Sequence, residues 1–304
     1  MSKKIIFFGN ERFATGTTSR LLIIKSLINS GYEITRIVLS QKDINKNTPE
    51  IIDFAKSNNI KIIYFKDNDS LYNQLSEIKT EFGVLASYGR IIPSRILDLF
   101  KGGIINIHPS LLPKHRGPTP LESVIINGEN KTGISIIKLV PEMDSGPIYI
   151  QESIVISKDI TKQTLADLLD EKASQLLGSV IDDITSYKLS PLAQKAQDVS
   201  YDKMISKNDS FLDPLTHKAN QLERQIRAHQ IWPRSILKIN NLEIIVLKAH
   251  VQKGNLSAGS LFIKDKSFGI GTLEGILIID ELLPLGKKAM SSSAFLAGYK
   301  DKLL

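Results

Sequence analysis

A chain of 304 residues, 42% of them apolar and 23% charged, can bury a sizeable core and fits one large domain or two of ordinary size. It has no cysteine, which excludes disulfides, thiolate metal sites and a cysteine nucleophile. Of the net charge of +7, a surplus of five falls after Ser190, so that end either meets an anionic partner such as a nucleic acid or presents a lysine-rich solvated face.

No stretch approaches the roughly 20 apolar residues of a membrane span. The start, "MSKKIIFFGN", has too short an apolar run for a signal peptide. The expectation is a cytoplasmic protein. The first half alternates short β-branched or aromatic runs, "KKIIFFG", "ITRIVLS", "IKIIYF" and "FGVLASY", with helical segments such as 17–30 and 49–58. Such alternation predicts a doubly wound, Rossmann-like α/β sheet. Further strands are expected at "GIINIHP", "TGISIIKLV" and "PIYIQESIVIS", then a long helix over 161–187 with apolar residues at three-to-four spacing.

The polar stretch "KLSPLAQKAQDVSYDKMISKNDS" reads as a linker. The expected division is a first domain over 1–190, a linker over 191–205 and a second domain over 206–304. Past the linker comes a helix over 216–229. Closely spaced strands follow, "SILKIN", "LEIIVLKAHVQ", "GSLFIKD", "FGIGTLEG" and "ILIIDEL", which suggest a small β-barrel.

The chemistry centres on "IINIHPSLLPKHRGPTP". On a strand, Asn106 and His108 project from one face, and in open α/β sheets ligands sit beyond the carboxyl ends of strands. An amide donor beside a titratable ring suits a reaction that builds an oxyanion. A cap or a buried hydrogen-bonded pair would use the same two residues. Asp144, in "VPEMDSGP", could orient His108 or hold its charge, although Asp-Ser-Gly-Pro also makes an ordinary turn. Neither "GNERFATG" nor any other segment makes a dinucleotide, Walker, zinc-protease or nucleophile-elbow motif. The remaining histidines, His115, His217, His229 and His250, lack metal-ligand spacing and are expected on the surface or on helix faces.

The run "NIHPSLLPKHRGPTPLESVIINGENKTGISIIKLVPEMDSGPIY" resembles the signature of the 10-formyltetrahydrofolate-dependent formyltransferases. "MISKNDSFLD", "LERQIRAHQIWP" and "LLPLGKKAMSSSAFLAGY" resemble the carboxyl-terminal domain of the methionyl-tRNA formyltransferase family, an oligonucleotide-binding-like barrel that contacts tRNA. The resemblance covers nearly the whole chain. Glycinamide ribonucleotide transformylase shares "NIHPSLLP" but is a single short domain and would leave the last third unexplained. The resemblance implies a transferase of translation initiation, moving a formyl group from 10-formyltetrahydrofolate to the methionine of initiator methionyl-tRNA. A sugar-nucleotide N-formyltransferase is the alternative, and a monomer is expected.

By the same resemblance Asn106, His108 and Asp144 are the catalytic residues. The folate wall falls on Ser87, Tyr88, Gly89, Ile91 and Pro93, on Ser110, Leu111, Leu112 and Pro113, and on Leu139, Val140 and Met143, largely through backbone. Two loops depart from the family's pattern. The one after the second strand is short, with only Lys42 and Lys46 basic. The one after the first strand is longer and carries Arg12 and Arg20, which are expected to take over part of the tRNA contact beside Lys42. In the second domain Lys218, Arg224, Arg227, Lys287 and Lys288 are the expected phosphate contacts, and Trp232 is expected to pack in the small domain.

Overall fold

The computed structural model describes residues 3–10, 12–14, 16–18, 20–40, 49–240 and 242–303. The chain forms two compact units: Met1–Pro120, Lys131–Val155 and Leu165–Lys203 make the first, and Leu121–Asn130, Ile156–Thr164 and Met204–Leu304 the second. Residues 191–203 thus lie with the first unit, and two short segments from the first half lie with the second.

The strands of the first unit are Lys4–Gly9 (β1), Glu33–Ser40 (β2), Lys61–Phe65 (β3), Phe82–Ala86 (β4), Gly103–His108 (β5), Lys131–Lys138 (β6) and Ile148–Val155 (β7). They form one sheet in the order β3-β2-β1-β4-β5-β6-β7. The first five pair in parallel, while β6 and β7 are antiparallel additions. Residues on both faces of β1 are buried, Ile5 and Phe7 on one and Ile6 and Phe8 on the other. That is why the strand reads as a continuous apolar run rather than an alternating one. The chain winds outward from β1 to β3, then returns to place β4 on the other side of β1. This reversal opens a crevice beyond the carboxyl ends of β1 and β4.

The helices of this half of the chain are Leu22–Asn29 (α1), Pro49–Ser57 (α2), Asn68–Ser76 (α3), Ser94–Leu97 (α4), Pro120–Asn127 (α5), which lies with the second unit from Leu121 onward, and Lys162–Thr185 (α6), which joins the first unit from Leu165 onward. The first helix starts five residues later than its apolar pattern predicts. Upstream polar groups bond locally instead: Thr17 Oγ1 donates to Ala14 O at 2.8 Å and accepts from Ala14 N at 3.3 Å. Such bonds compete with a helical backbone. Leu21, at φ 52°, then turns the chain into the helix. At the other end of the unit, α6 opens on Thr161, whose Oγ1 accepts from Thr164 N at 3.3 Å, and the chain leaves it at Tyr187, φ 60°.

The second unit holds Ala219–Ala228 (α7), strands Ser235–Ile239 (β8), Leu242–Gln252 (β9), Leu261–Lys264 (β10), Ser267–Gly271 (β11), Ile276–Pro284 (β12) and Met290–Ser291 (β13), and Ser292–Leu303 (α8). Every pairing is antiparallel, in the order β10-β11-β12-β9-β8 with β13 on β12. Leu222 and Ile226 of α7 share a core with Phe268 and Phe295. The Phe295 ring stacks between Phe268, 5.3 Å away, and Tyr299, 4.8 Å away. The order of elements along the chain, a doubly wound sheet followed by an antiparallel β domain, is the one the sequence pattern predicts. Two histidines depart from expectation: His115 and His229 are buried, because each sits where the chain doubles back on itself rather than on a helix face. Trp232 remains 39% exposed, next to a cis bond to Pro233. Among the described residues no helix is long and apolar enough to cross a membrane.

Candidate active site at the end of the fifth strand

Strand alternation puts Ile104, Asn106 and His108 on one face of β5. Ile104 belongs to the core that Ile6, Phe8 and Ile96 form on that side. The row therefore runs from a packed apolar end to two polar side chains, both buried. A buried amide and imidazole must find partners, and the structure supplies them from two loops.

Asp144 is the first partner. Its Oδ1 lies 3.4 Å from Asn106 Nδ2 and 3.6 Å from His108 Nδ1. Its Oδ2 accepts from Gly117 N at 2.8 Å. Asp144 itself has φ 49°, a left-handed conformation that strains a residue with a side chain. Two glycines let the loops close around it. A Cβ on Gly146 would stand 1.8 Å from Lys138 O, and one on Gly117, φ 109°, would stand 2.8 Å from Asp202 O.

The second partner is the loop after β5. His108 Nε2 lies 2.8 Å from the carbonyl of His115, so that nitrogen carries a hydrogen and donates. Ser110 Oγ donates to Lys114 O at 2.7 Å, and Ser135 Oγ donates to Ser110 O at 2.7 Å. Leu112 N donates to Ser135 Oγ at 3.0 Å and Leu112 O accepts from Gln151 Nε2 at 2.7 Å. The bond from Leu112 to Pro113 is cis. Ser110 and Leu112 are thus parts of the loop's own frame, and their buried side chains face inward.

Residues 192–202 clamp this loop from outside. Arg116 N donates to Ser200 O at 2.9 Å and Asp202 N to Arg116 O at 2.8 Å. The His115 ring lies 3.1 and 3.2 Å from the two carboxylate oxygens of Asp202. Gln194 Oε1 accepts from Arg116 Nε and Nη2 at 3.1 and 2.6 Å, while Gln194 Nε2 donates to Asp144 O and Gly146 O at 2.7 and 2.8 Å. The sequence reading missed His115, Arg116, Gln194 and Asp202. Residues 192–202 are polar and aperiodic, so no pattern marks Gln194 and Asp202 as partners of the loop after β5.

Along the Ile104 end of the row lies a cavity of about 450 Å3, lined by Leu97, Phe100, Ile104, Leu139, Val140 and neighbours. Of the residues expected to hold folate, Leu139 and Val140 line it. Tyr88 is instead a core side chain, edge-on to Phe8 at 5.7 Å. Ile91 and Met143 are exposed, Pro93 is half-buried beside α4, and Gly89, φ 66°, has open space around its Cα. Leu111 is half-buried. Ser87, φ 53°, donates to Phe13 O and lines a second, small cavity with Asn10, Arg12 and Asp170. Burial pushes the Asp170 carboxyl up to about 6; the Arg20 guanidinium opposes that shift and Asp167 adds to it.

The basic residues are scattered. Arg12 lines the small cavity, and Arg20 faces Asp167 at 3.9 Å. Lys42 and Lys46 lie outside the described residues. In the second unit, Lys218 pairs with Glu274 at 2.6 Å. Arg227 forks onto Glu223 and donates to Ile160 O at 2.6 Å, while Arg224 reaches Asn127 O at 3.5 Å. Lys287 and Lys288 are exposed and make no ion pair among the described residues.

Two family models match the chain: one described as formyl transferase over residues 35–181, and one described as formyl transferase, C-terminal domain, over residues 204–300. The methionyl-tRNA formyltransferase of Thermodesulfovibrio yellowstonii is 30% identical over 99% of this chain and 97% of its own length. That of Dictyoglomus turgidum is 32% identical over 98% and 96%. Among solved structures, the N-formyltransferase of Helicobacter canadensis in complex with folinic acid and dTDP-3-aminofucose superposes with a TM-score of 0.70 at 18% identity, over 93% of this chain and all of that one. HypX of Aquifex aeolicus in complex with tetrahydrofolic acid gives 0.66 at 16% identity; the chain spans about half of its length. At such identities the structural likenesses concern the fold.

Proposed function

The chain belongs to the methionyl-tRNA formyltransferase family, and we propose that it moves the formyl group of 10-formyltetrahydrofolate to the α-amino group of methionine on initiator methionyl-tRNA through Asn106, His108 and Asp144. The observation that carries this assignment is the convergence of an amide and an imidazole on one carboxylate oxygen, at 3.4 and 3.6 Å.

The geometry supports the following roles. The neutral amine attacks the formyl carbon, a C–N bond forms and the carbonyl electrons move onto oxygen. Asn106 Nδ2 donates to that developing oxyanion. His108 works through Nδ1, because Nε2 is engaged by the His115 carbonyl. The amine must lose a proton and the folate N10 must gain one as the C–N10 bond breaks. Asp144 Oδ1 and His108 Nδ1, adjacent to each other, can take up and return that proton. Gly117 N–H, on Oδ2, leaves Oδ1 as the working oxygen.

The cavity beside Ile104, at the amino-terminal end of β5, takes in two of the proposed folate residues, Leu139 and Val140. Its volume is within the range of small-molecule sites. Its lining mixes Leu97, Phe100, Leu139 and Val140 with Ser94, Asp98, Lys101 and Lys138, and none of Asn106, His108 and Asp144 contributes to it. Phosphate contacts to tRNA are proposed for Arg12, Arg20, Lys42, Lys218, Arg224, Arg227, Lys287 and Lys288, with the exposed Lys287 and Lys288 foremost. The working form is proposed to be a cytoplasmic monomer.

The test is formyl transfer with charged initiator methionyl-tRNA, charged elongator methionyl-tRNA and an amino-sugar nucleotide as competing acceptors. Preference for the initiator is expected. Transfer to the sugar nucleotide alone would keep the catalytic residues and overturn the acceptor.

A further inference from the structure

The left-handed backbone at Asp144 needs a device that holds it, and the device lies 50 residues downstream. We infer that Gln194 is a positioning residue for Asp144. Its Nε2 hydrogens both go to the Asp144 turn, one to the carbonyl of Asp144 at 2.7 Å and one to that of Gly146 at 2.8 Å. An amide with both hydrogens so engaged spans the turn like a bracket, and fixes the direction in which the carboxylate leaves the backbone.

Gln194 is in turn fixed by a buried cation. Arg116 is 8% exposed, and its Nε and Nη2 donate to Gln194 Oε1. Its third face is used as well: Nη1 donates to Tyr201 OH at 3.0 Å, and the guanidinium lies 5.6 Å from that ring's centre. A buried guanidinium ordinarily favours a carboxylate. Here it meets a neutral amide. A glutamate at 194 would serve Arg116 at least as well but could not donate to two carbonyls. The choice of glutamine is therefore explained by the Asp144 side of the bracket and not by the Arg116 side.

This inference rests on the reading of Asp144 as catalytic. Gln194→Glu separates positioning from structure, since it keeps the Arg116 partner and removes both donors. Steady-state formyl transfer by the full chain, with melting temperature measured in parallel, is compared for the natural protein, Gln194→Glu and Asp144→Asn. The expected result is that Gln194→Glu, whose second carboxylate oxygen would face the carbonyls of Asp144 and Gly146, melts below the natural temperature but stays folded in the assay, keeps KM for both substrates within about two-fold and loses roughly 10- to 100-fold in kcat, the scale of a misplaced reacting group. Gln194→Met, similar in length but without donor or acceptor, should show the same kcat loss, and it takes the place of Gln194→Glu should that chain fail to fold. If Asp144→Asn is crippled while the 194 variants keep natural kcat, the positioning role is overturned and the catalytic reading stands. If Asp144→Asn itself turns over normally, the catalytic reading falls and this inference with it.

Discussion

His108 donates through Nε2 to the carbonyl of His115, 2.8 Å away, and so turns its other nitrogen to Asp144. A carbonyl can only accept, so Nε2 carries the hydrogen, and Nδ1 is the nitrogen left for proton exchange in the proposed mechanism.

Removing either side of this arrangement should slow the chemistry without unfolding the chain. Asn106→Ala is expected to lose about 10²- to 10³-fold in kcat, the usual effect of one oxyanion donor. His108→Ala and Asp144→Ala should lose about 10²- to 10⁴-fold, the scale of acid–base assistance. Circular dichroism of each variant should match the natural protein; a variant that retains near-natural turnover is not part of the mechanism.

Asp202 holds the ring of His115 from the other side of the loop, with both groups buried. Asp202→Ala leaves a buried ring nitrogen without its acceptor, which should cost about 1–3 kcal/mol. Asp202→Asn keeps a carbonyl oxygen and should lose less. Urea midpoints of the two variants would show the difference, and equal midpoints would place the pair outside the fold's stability.

Asp170 should give the folded state a pH dependence whose sign follows from its burial. Burial raises its folded pKa to about 6 from the ordinary 3.8, with Arg20 opposing and Asp167 adding. The unfolded chain therefore releases this proton at lower pH than the folded one. The folded state loses stability as pH rises from 3.8 toward 6, and the loss stays constant above that. The full effect is on the order of 3 kcal/mol. Asp170→Asn should be more stable than the natural protein at pH 8 and gain nothing at pH 3.5. A stability difference that does not change with pH would refute it.

His229 acts in the opposite direction. Burial lowers its pKa to about 4 from 6.5; the Asp209 carboxylate opposes the shift and the Lys162 ammonium adds to it. Both ring nitrogens are buried, and neither makes a hydrogen bond of normal geometry among the described residues, although the Asp209 backbone lies near enough to oppose the shift. The unfolded chain binds this proton first. Stability should fall between pH 6.5 and 4, by on the order of 3 kcal/mol, and the effect is complete below pH 4. His229→Phe removes the titrating ring at similar size and should flatten that part of the profile. Denaturant melts at pH 7 and pH 4.5 would decide.

The strands could be read from the sequence because burial on both faces writes an apolar run, as in Ile5–Phe8. Asn106 and His108 could be read because strand alternation alone puts them side by side. The closeness of Asp144 could not: it depends on β6 running antiparallel to β5 and on a left-handed turn 36 residues past His108. Gln194 and Asp202 left no trace, since a clamp built from single polar contacts has no period. The start of α1 was misplaced because Thr17 closes a local turn on Ala14 that the apolar pattern does not show.

The second unit is written in three separate pieces of chain. Arg227 needs Ile160 O, and Lys162, wholly buried, needs Glu122, 2.6 Å away. A gene fragment encoding only residues 204–304 would therefore leave Arg227 without the Ile160 carbonyl and would lack the buried Glu122–Lys162 pair. Exchange of this region between related enzymes has to carry α5 and the approach to α6 along with it, so that recombination at the apparent boundary in the sequence yields an incomplete module.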